Sequence, residues 1–308
     1  MVDLSTKLAP THVDGLLLNN PVIAASGTFG YGDEYIESVD ISRLGALICK
    51  GTTLHPGEGN PQPRLIETAS GLLNSIGLQN IGVDAVVKDK APLWAEWKVP
   101  VIVNIAGKTV DEYRSIASKL DGVKGIRGIE INISCPNVAS GGIEFGRSAK
   151  SAAEVTGTVK SASHLPVIVK LSPNVTDIQE IAIAVEEAGA DAITIVNTLR
   201  GMAIDIERQR PSLGNIVGGL SGPAIKPVAL YMVYTVFKEV KVPIIGCGGI
   251  VTSNDAIEFI LAGASAVQVG TANMSDPWNT SGIADGIERY LESKKIKRLS
   301  DLVGIAHN

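Results

Sequence analysis

Three kinds of residue in this sequence have the chemistry of a reaction site. The first is a thiol in polar surroundings, Cys135, within Asn132-Ile133-Ser134-Cys135-Pro136-Asn137 and shortly before Gly141-Gly142. A free thiol titrates near pH ~8.5 and can act as a base or nucleophile close to neutrality. The two glycines would let its loop move as a lid. Cys49, inside an apolar run, and Cys247, among glycines, read instead as packing. The second kind is a pair of lysines, Lys50 and Lys170, each closing an apolar run. A lysine there is a Schiff-base amine, a fixed cation facing a developing anion, or a side chain snorkelling to solvent. The third is a set of amides, Asn74, Asn104, Asn132 and Asn197. They offer donors and acceptors without charge, which suits a planar heterocycle carrying alternating carbonyl and N–H groups. Two glycine-containing stretches, Gly246-Cys247-Gly248-Gly249-Ile250 and Val269-Gly270-Thr271-Ala272, supply backbone that can approach a phosphate. The whole set fits a phosphorylated cofactor stacked over a planar substrate.

Other chemistries lack their residues. None of His12, His55, His164 and His307 lies at the C-terminal end of an apolar run, and there is no CxxC pair. A metal hydrolase and an iron–sulfur centre are therefore not expected in this chain. Glu130 is the one carboxylate near a run's end, on the same face as Asn132 but two residues deeper. A glycosidase would need a pair.

The elements that must position these groups are short, apolar and repeated. Eight runs have strand length: Pro21–Ala25, Ala46–Cys49, Val101–Ile105, Gly128–Ile133, Val167–Leu171, Ala192–Val196, Pro243–Gly246 and Ala266–Val269. They are apolar on both faces, as parallel strands covered by helices are. Several share the entry Val-Pro or Leu-Pro, and others the entry Gly-Ala. Helical periodicity precedes the second type: Ile178, Ile181, Ala182, Val185 and Ala188 share a face, as do Ala256, Phe259, Ile260 and Ala262. Each of these helices ends at a glycine suited to cap it. Repeated strand–helix units predict an α/β fold, a single-domain (β/α)8 TIM barrel over residues 1–308; a doubly wound sheet rarely needs eight such uniform units. Ser26, Lys50, Asn104, Asn132, Lys170, Asn197, Gly248 and Thr271 then fall at the C-terminal strand ends, where barrels carry their active sites. Two longer intervals, about 52–98 and 198–241, are rich in Gly, Pro and Asn and are expected as loop insertions at the mouth.

The chain has 308 residues, with 45% hydrophobic and 19% charged, which excludes a disordered chain. Its net charge of −5 and lack of a basic run give no support to a nucleic-acid partner. No apolar run has the length of a membrane span, and the N-terminal residues do not read as a secretory signal. Three widely spaced cysteines fit a reducing cytoplasm rather than a disulfide framework.

Motifs along nearly the whole chain resemble the dihydroorotate dehydrogenases, FMN-dependent barrel enzymes of pyrimidine biosynthesis. They are Ala25-Ser26-Gly27, Lys50-Gly51-Thr52, Gly59-Asn60-Pro61-Gln62-Pro63-Arg64, Asn74-Ser75-Ile76-Gly77-Leu78-Gln79-Asn80 and Asn132-Ile133-Ser134-Cys135-Pro136-Asn137, then Val169-Lys170-Leu171, Val196-Asn197-Thr198, Gly219-Leu220-Ser221-Gly222, Gly248-Gly249-Ile250 and Gly270-Thr271. The resemblance implies that Ser26, Lys50, Gly51, Asn104, Asn132, Lys170, Val196, Gly222, Gly248, Gly249, Gly270 and Thr271 hold FMN. It implies that Lys50, Asn74, Ser75, Ile76, Gly77, Leu78, Asn132, Asn137, Asn197 and Thr198 hold dihydroorotate. Cys135 would be the base that removes a proton beside the ring carbonyl while the adjacent carbon gives hydride to the flavin. Lys170 would offset charge on the reduced ring. The membrane-bound branch has a serine base, whereas this chain has Cys135. Asn197-Thr198-Leu199-Arg200-Gly201-Met202-Ala203 and Gly218-Gly219-Leu220-Ser221-Gly222-Pro223 are similar to the NAD-linked branch. That branch implies a homodimer core in a heterotetramer with a subunit carrying FAD and a [2Fe-2S] cluster; no GxGxxG follows a strand in this chain. Other readings are the fumarate-linked homodimeric branch, a tRNA-dihydrouridine synthase, disfavoured by the acidic charge, and a Schiff-base aldolase using Lys170.

Overall fold

The computed structural model describes residues 2–13, 15–37, 39–134, 136–137 and 143–308, with backbone alone for 136, 137 and 143. Cys135 and Gly141-Gly142 lie outside the described residues, as does the Asn137 side chain. Eight parallel strands close into a barrel. They are β1 (Val22–Ala24), β2 (Ala46–Ile48), β3 (Val101–Ile105), β4 (Ile126–Asn132), β5 (Val167–Lys170), β6 (Ala192–Ile195), β7 (Ile244–Cys247) and β8 (Ala264–Val269). All eight expected runs are strands, each within a residue or two of the expected bounds.

Side-chain alternation along the strands sorts them between two cores. Val22, Leu47, Val101, Val103, Ile129, Ile131, Val167, Val169, Ile193 and Val267 face outward into the layer shared with the helices. Ile23, Ala46, Ile48, Ile102, Ile168, Ala192, Ile245 and Ala266 face inward and fill the barrel. Leu8, Ala9, Leu16 and Leu18 join that inner cluster from an N-terminal hairpin that pairs Thr6–Lys7 with Leu17–Leu18. Each buried Val, Leu or Ile among them contributes ~1.5–3 kcal/mol.

The outer ring includes α1 (Val110–Leu120), α2 (Ala149–Ala162), α3 (Ile178–Glu187), α4 (Lys226–Val236), α5 (Ser253–Leu261) and α6 (Asn279–Lys294). The two periodic stretches form α3 and α5. Asp177 caps α3 through the N–H of Gln179, and Thr252 with Asp255 forms a capping box on α5. Gly189 and Gly263, just past these helices, take positive φ. The ring is less uniform than eight equal units: between β1 and β2 the described helical segment is one 3-10 turn, Ile41–Arg43.

The two long intervals are not loops alone. Strands Leu65–Thr68 and Gly71–Asn74 from the first, and Leu199–Gly201 and Gly218–Ser221 from the second, join into one antiparallel four-stranded sheet at the mouth. Backbone approach requires glycine here: a Cβ on Gly71 would lie 2.1 Å from the Ser221 carbonyl oxygen. The remainder of each interval returns to the ring, as the helical segment 83–94 and as α4.

Candidate active site

Two residues above the apolar interior layer, alternation brings polar side chains onto the same inward face. Ile48 is followed by Lys50, Ile102 by Asn104, Ile168 by Lys170, Ala192 by Thr194, Ile245 by Cys247 and Ala266 by Gln268. Register aligns them: Asn104 pairs with Glu130, and Lys170 pairs with both Asn132 and Thr194. The strand ends therefore form a polar floor, with the mouth above it.

A cavity of about 410 Å³ opens there, within the size range of small-molecule sites. Ser26, Lys50, Gly51, Asn104, Asn132 and Lys170 line it from β1 to β5. Val196, Asn197, Thr198, Gly248, Gly249, Gly270 and Thr271 line it from the ends of β6, β7 and β8. Asn74, Ser75, Ile76, Gly77, Leu78 and Gly222 line it from the mouth insertions. Apart from Cys135 and Asn137, the structure thus gathers every residue expected at the site into one cavity.

The lining divides by chemistry. In the barrel order, β7 and β8 lie across from β3 and β4. On the β7–β8 side, the backbone N–H groups of Gly248, Gly249, Gly270 and Thr271 donate no hydrogen bond among the described residues. Gly249 has φ +75°, and a Cβ there would lie 2.7 Å from Cβ of Lys226. Unused donors on glycine backbone that approaches a cavity make a cradle for an anion such as phosphate.

Elsewhere around the rim stand amides and a cation. Asn197 Nδ2 donates to Asn132 Oδ1 at 3.2 Å and to Ser134 Oγ at 3.1 Å, and Asn197 Oδ1 accepts from Thr198 N–H at 2.8 Å. Asn74 Nδ2 donates to the Gly219 carbonyl at 3.1 Å, a side-chain bond between the two insertions within the mouth sheet. Among the described residues the Lys50 ammonium has no carboxylate within ion-pair distance, so it is available to an acidic ligand. Arg64 organises the neighbouring Asn74–Gln79 segment. Its Nε donates to the Asn60 carbonyl and its Nη1 to Gln79 Oε1 at 2.8 Å, while Asn60 Nδ2 donates to Ser75 Oγ at 2.9 Å.

Lys170 is 5% exposed, so it does not snorkel. Its Nζ donates to Gln268 Oε1 at 2.9 Å. Burial acts to lower its pKa, but the neighbouring Cys247 sulfur and the Glu130 carboxylate act the other way and prevail, leaving it above the ordinary lysine value. A Schiff-base lysine needs the opposite shift, so the aldolase reading is not favoured. Cys49 packs as expected, its thiol pushed up to about 12 by burial. Burial also pushes the Cys247 thiol up, with partial relief from Lys170.

Sequence reasoning missed Thr194, Gln268 and Ser221. Thr194 and Gln268 join Glu130 and Lys170 beneath the cavity, and Ser221 Oγ accepts from Thr271 Oγ1 at 2.7 Å. For Thr194 and Gln268 the available signal was one polar residue on the inward alternation of an apolar strand.

Comparison with known proteins agrees with this geometry. The family model described as dihydroorotate dehydrogenase matches residues 8–291. A dihydroorotate dehydrogenase B (NAD(+)) catalytic subunit of Desulforamulus reducens is 58% identical over 288 residues, covering 94% of this chain and 95% of that protein. Proteins of the same name from Desulforudis audaxviator and Geotalea uraniireducens are 54% and 53% identical, covering 96% and 98% of this chain and 96% and 97% of theirs. The crystal structure of DHODH in complex with ferulenol from Eimeria tenella superposes with a TM-score of 0.80. It covers 99% of this chain and 89% of that one at 24% identity, which speaks for the fold alone.

Proposed function

The chain belongs to the dihydroorotate dehydrogenase family, and we propose that it oxidises (S)-dihydroorotate to orotate in pyrimidine biosynthesis, as the catalytic subunit of an NAD-linked enzyme. One observation carries the reading: an ammonium unpaired among the described residues, a set of amides and a row of backbone donors unused among them converge on one cavity at the barrel mouth. The relatives' shared name supplies the branch.

The lining fits FMN. The cradle at Gly248, Gly249, Gly270 and Thr271, with Gly222 beside it, suits the single phosphate, and Ser26, Gly51, Asn104, Asn132, Lys170 and Val196 surround the space for the ring. Bound FMN supplies the two-electron acceptor. Lys50 binds the substrate carboxylate. Asn74, Asn132, Asn197 and Thr198 orient the pyrimidine ring through its alternating donors and acceptors, and the Ser75–Leu78 segment covers it. Lys170 holds a positive charge at the cavity floor. Cys135, with Asn137 nearby in sequence, belongs to the connection that leaves β4, and Cys135 takes the proton from the carbon beside the ring carbonyl.

The electrons leave through a partner that carries FAD and a [2Fe-2S] cluster, in a heterotetramer built on a dimer of this chain. The words "catalytic subunit" in the relatives' names support a partner. Cys49 and Cys247 are free and buried, which supports a reducing cytoplasm. Among the described residues no helix is long and apolar enough to cross a membrane.

The test is an assay of the purified chain with dihydroorotate and, in turn, a dye, NAD and fumarate. Yellow protein that releases FMN, reduces dye and leaves NAD untouched until the partner is added is the expected result. Rapid fumarate turnover by the chain alone would place it in the homodimeric branch, and protein unable to take up any flavin would end the reading.

A further inference from the structure

Glu130 is fully buried inside the barrel, yet no cation reaches it among the described residues. It is held instead by three neutral donors: Asn104 Nδ2 at 2.7 Å on Oε1, and Thr194 Oγ1 at 3.0 Å and Gln268 Nε2 at 2.6 Å on Oε2. Lys170, on the strand next to β4, pairs in register with Asn132, two residues nearer the mouth than Glu130. The only described link between the two charges is the Gln268 amide. Its Oε1 accepts from the Lys170 ammonium at 2.9 Å, and its Nε2 donates to Glu130 and, at 3.0 Å, to Thr194 Oγ1. Chemistry dictates this orientation, because an ammonium can only donate and a carboxylate can only accept.

A buried charge without compensation neutralises itself or costs several kcal/mol. Elsewhere at this depth the barrel is filled with Ile and Ala. The polar layer therefore needs a reason, and its position directly beneath the cavity supplies one. Thr194 bonds Glu130 and Gln268, and Asn104 bonds Glu130; of these side chains Gln268 is the one that reaches both Glu130 and Lys170. A direct Glu–Lys pair would draw the ammonium down into the barrel, whereas an interposed amide carries the carboxylate's influence and leaves the ammonium at the floor of the cavity. Cooperative polarisation along such a chain strengthens each bond.

We propose that Gln268 is a positioning residue: through its amide, the buried Glu130 holds Lys170 as an ammonium at the cavity floor, where it offsets negative charge on the ring of a bound flavin. The inference rests on the FMN reading above. Glu130 acts at a distance, Gln268 acts by contact with Lys170, and Lys170 alone faces the ligand.

The test replaces Gln268 by Met, which is similar in length and makes none of the three hydrogen bonds. Two properties of the flavin-loaded protein are measured: its midpoint potential, and its affinity for sulfite, whose addition leaves negative charge on the flavin ring. Losing a hydrogen bond to a charged group is expected to weaken sulfite binding about tenfold. The potential should move negative, and the same tenfold factor for a two-electron couple is ~30 mV. Ile102→Val is the structural control. It loosens the apolar interior of the barrel and removes no hydrogen bond of Glu130, Gln268 or Lys170, so it should melt at a lower temperature while both flavin properties stay near wild type. Should Gln268→Met not fold, Gln268→Asn keeps an amide too short to span both partners and should shift both properties in the same direction. Unchanged sulfite affinity and potential in flavin-loaded Gln268→Met would overturn the proposal, as would an equal shift in Ile102→Val. Wild-type protein that takes up no flavin would defeat the function reading itself, and this inference with it.

Discussion

The Lys226 ammonium lies 2.7 Å from the Asp255 carboxylate, and this contact joins the start of α4 to the start of α5. Asp255 also accepts from the N–H groups of Val251 and Thr252, at 3.1 and 2.8 Å, so one carboxylate secures the segment that follows the glycine cradle. Burial alone would raise the Asp255 pKa; Lys226 and the Thr252 and Val251 donors outweigh it and leave it lowered. A lowered folded-state pKa contributes stability above the unfolded value, ~3.9 for Asp. That contribution fades as pH falls through the folded value. Wild-type melting temperature should therefore drop on the acid side of pH ~4, and Asp255→Asn should melt lower at neutral pH with a shallower acid decline. Thermal melts from pH 3 to 8 would check this, and superimposable curves would refute it.

Gly249 has φ +75°, and an added Cβ would meet Lys226 Cβ at 2.7 Å and the Gly222 carbonyl oxygen at 2.9 Å. Both faults act on the cradle. Gly249→Ala should therefore lose phosphate affinity beyond any loss of fold stability. Strain of this kind costs ~1–3 kcal/mol, so flavin retention through gel filtration should fall while circular dichroism stays close to wild type. Full retention of FMN would argue against the cradle.

Lys50 is the cavity cation available to a ligand carboxylate. Lys50→Met removes its charge-assisted hydrogen bond, worth ~1.5–3 kcal/mol, so orotate should bind roughly 10–100-fold more weakly. Spectral titration of the bound flavin with orotate gives the number directly. An unchanged dissociation constant would move the carboxylate to another part of the cavity.

Cys135→Ala should still take up FMN and bind orotate, but reduce the flavin with dihydroorotate ~10²–10⁴-fold more slowly, the usual cost of a lost general base. Cys135→Ser should be intermediate at best and gain with rising pH, since a hydroxyl gives up its proton less readily. Stopped-flow bleaching at wild-type speed in Cys135→Ala would remove this thiol from the mechanism.

Much of the fold was legible because the barrel strands are buried on both faces and written almost wholly in apolar letters, as in Val101–Ile105 and Ala192–Ile195. The rim was legible because Lys50, Asn104 and Lys170 break those runs at their C-terminal ends. The mouth sheet was not. Gly218–Ser221 and Gly71–Asn74 have little strand propensity, and their pairing spans the two insertions, which local patterning cannot register. Gln268 and Thr194 were passed over because one polar residue in an apolar run looks like tolerated variation until its partners arrive from other strands. Cys135 and the Asn137 side chain lie outside the described residues, so their roles rest on the sequence.

The mouth sheet places Gly218–Ser221 between Leu199–Gly201 and Gly71–Asn74. Those two flanking strands come from different insertions, so neither insertion can be shortened alone. Deleting the 218–221 strand would strip a partner from both neighbours and leave two rows of bare N–H and C=O groups facing water at the rim, an invitation to edge-to-edge association. Loop grafts at this mouth must therefore exchange both insertions as a matched set.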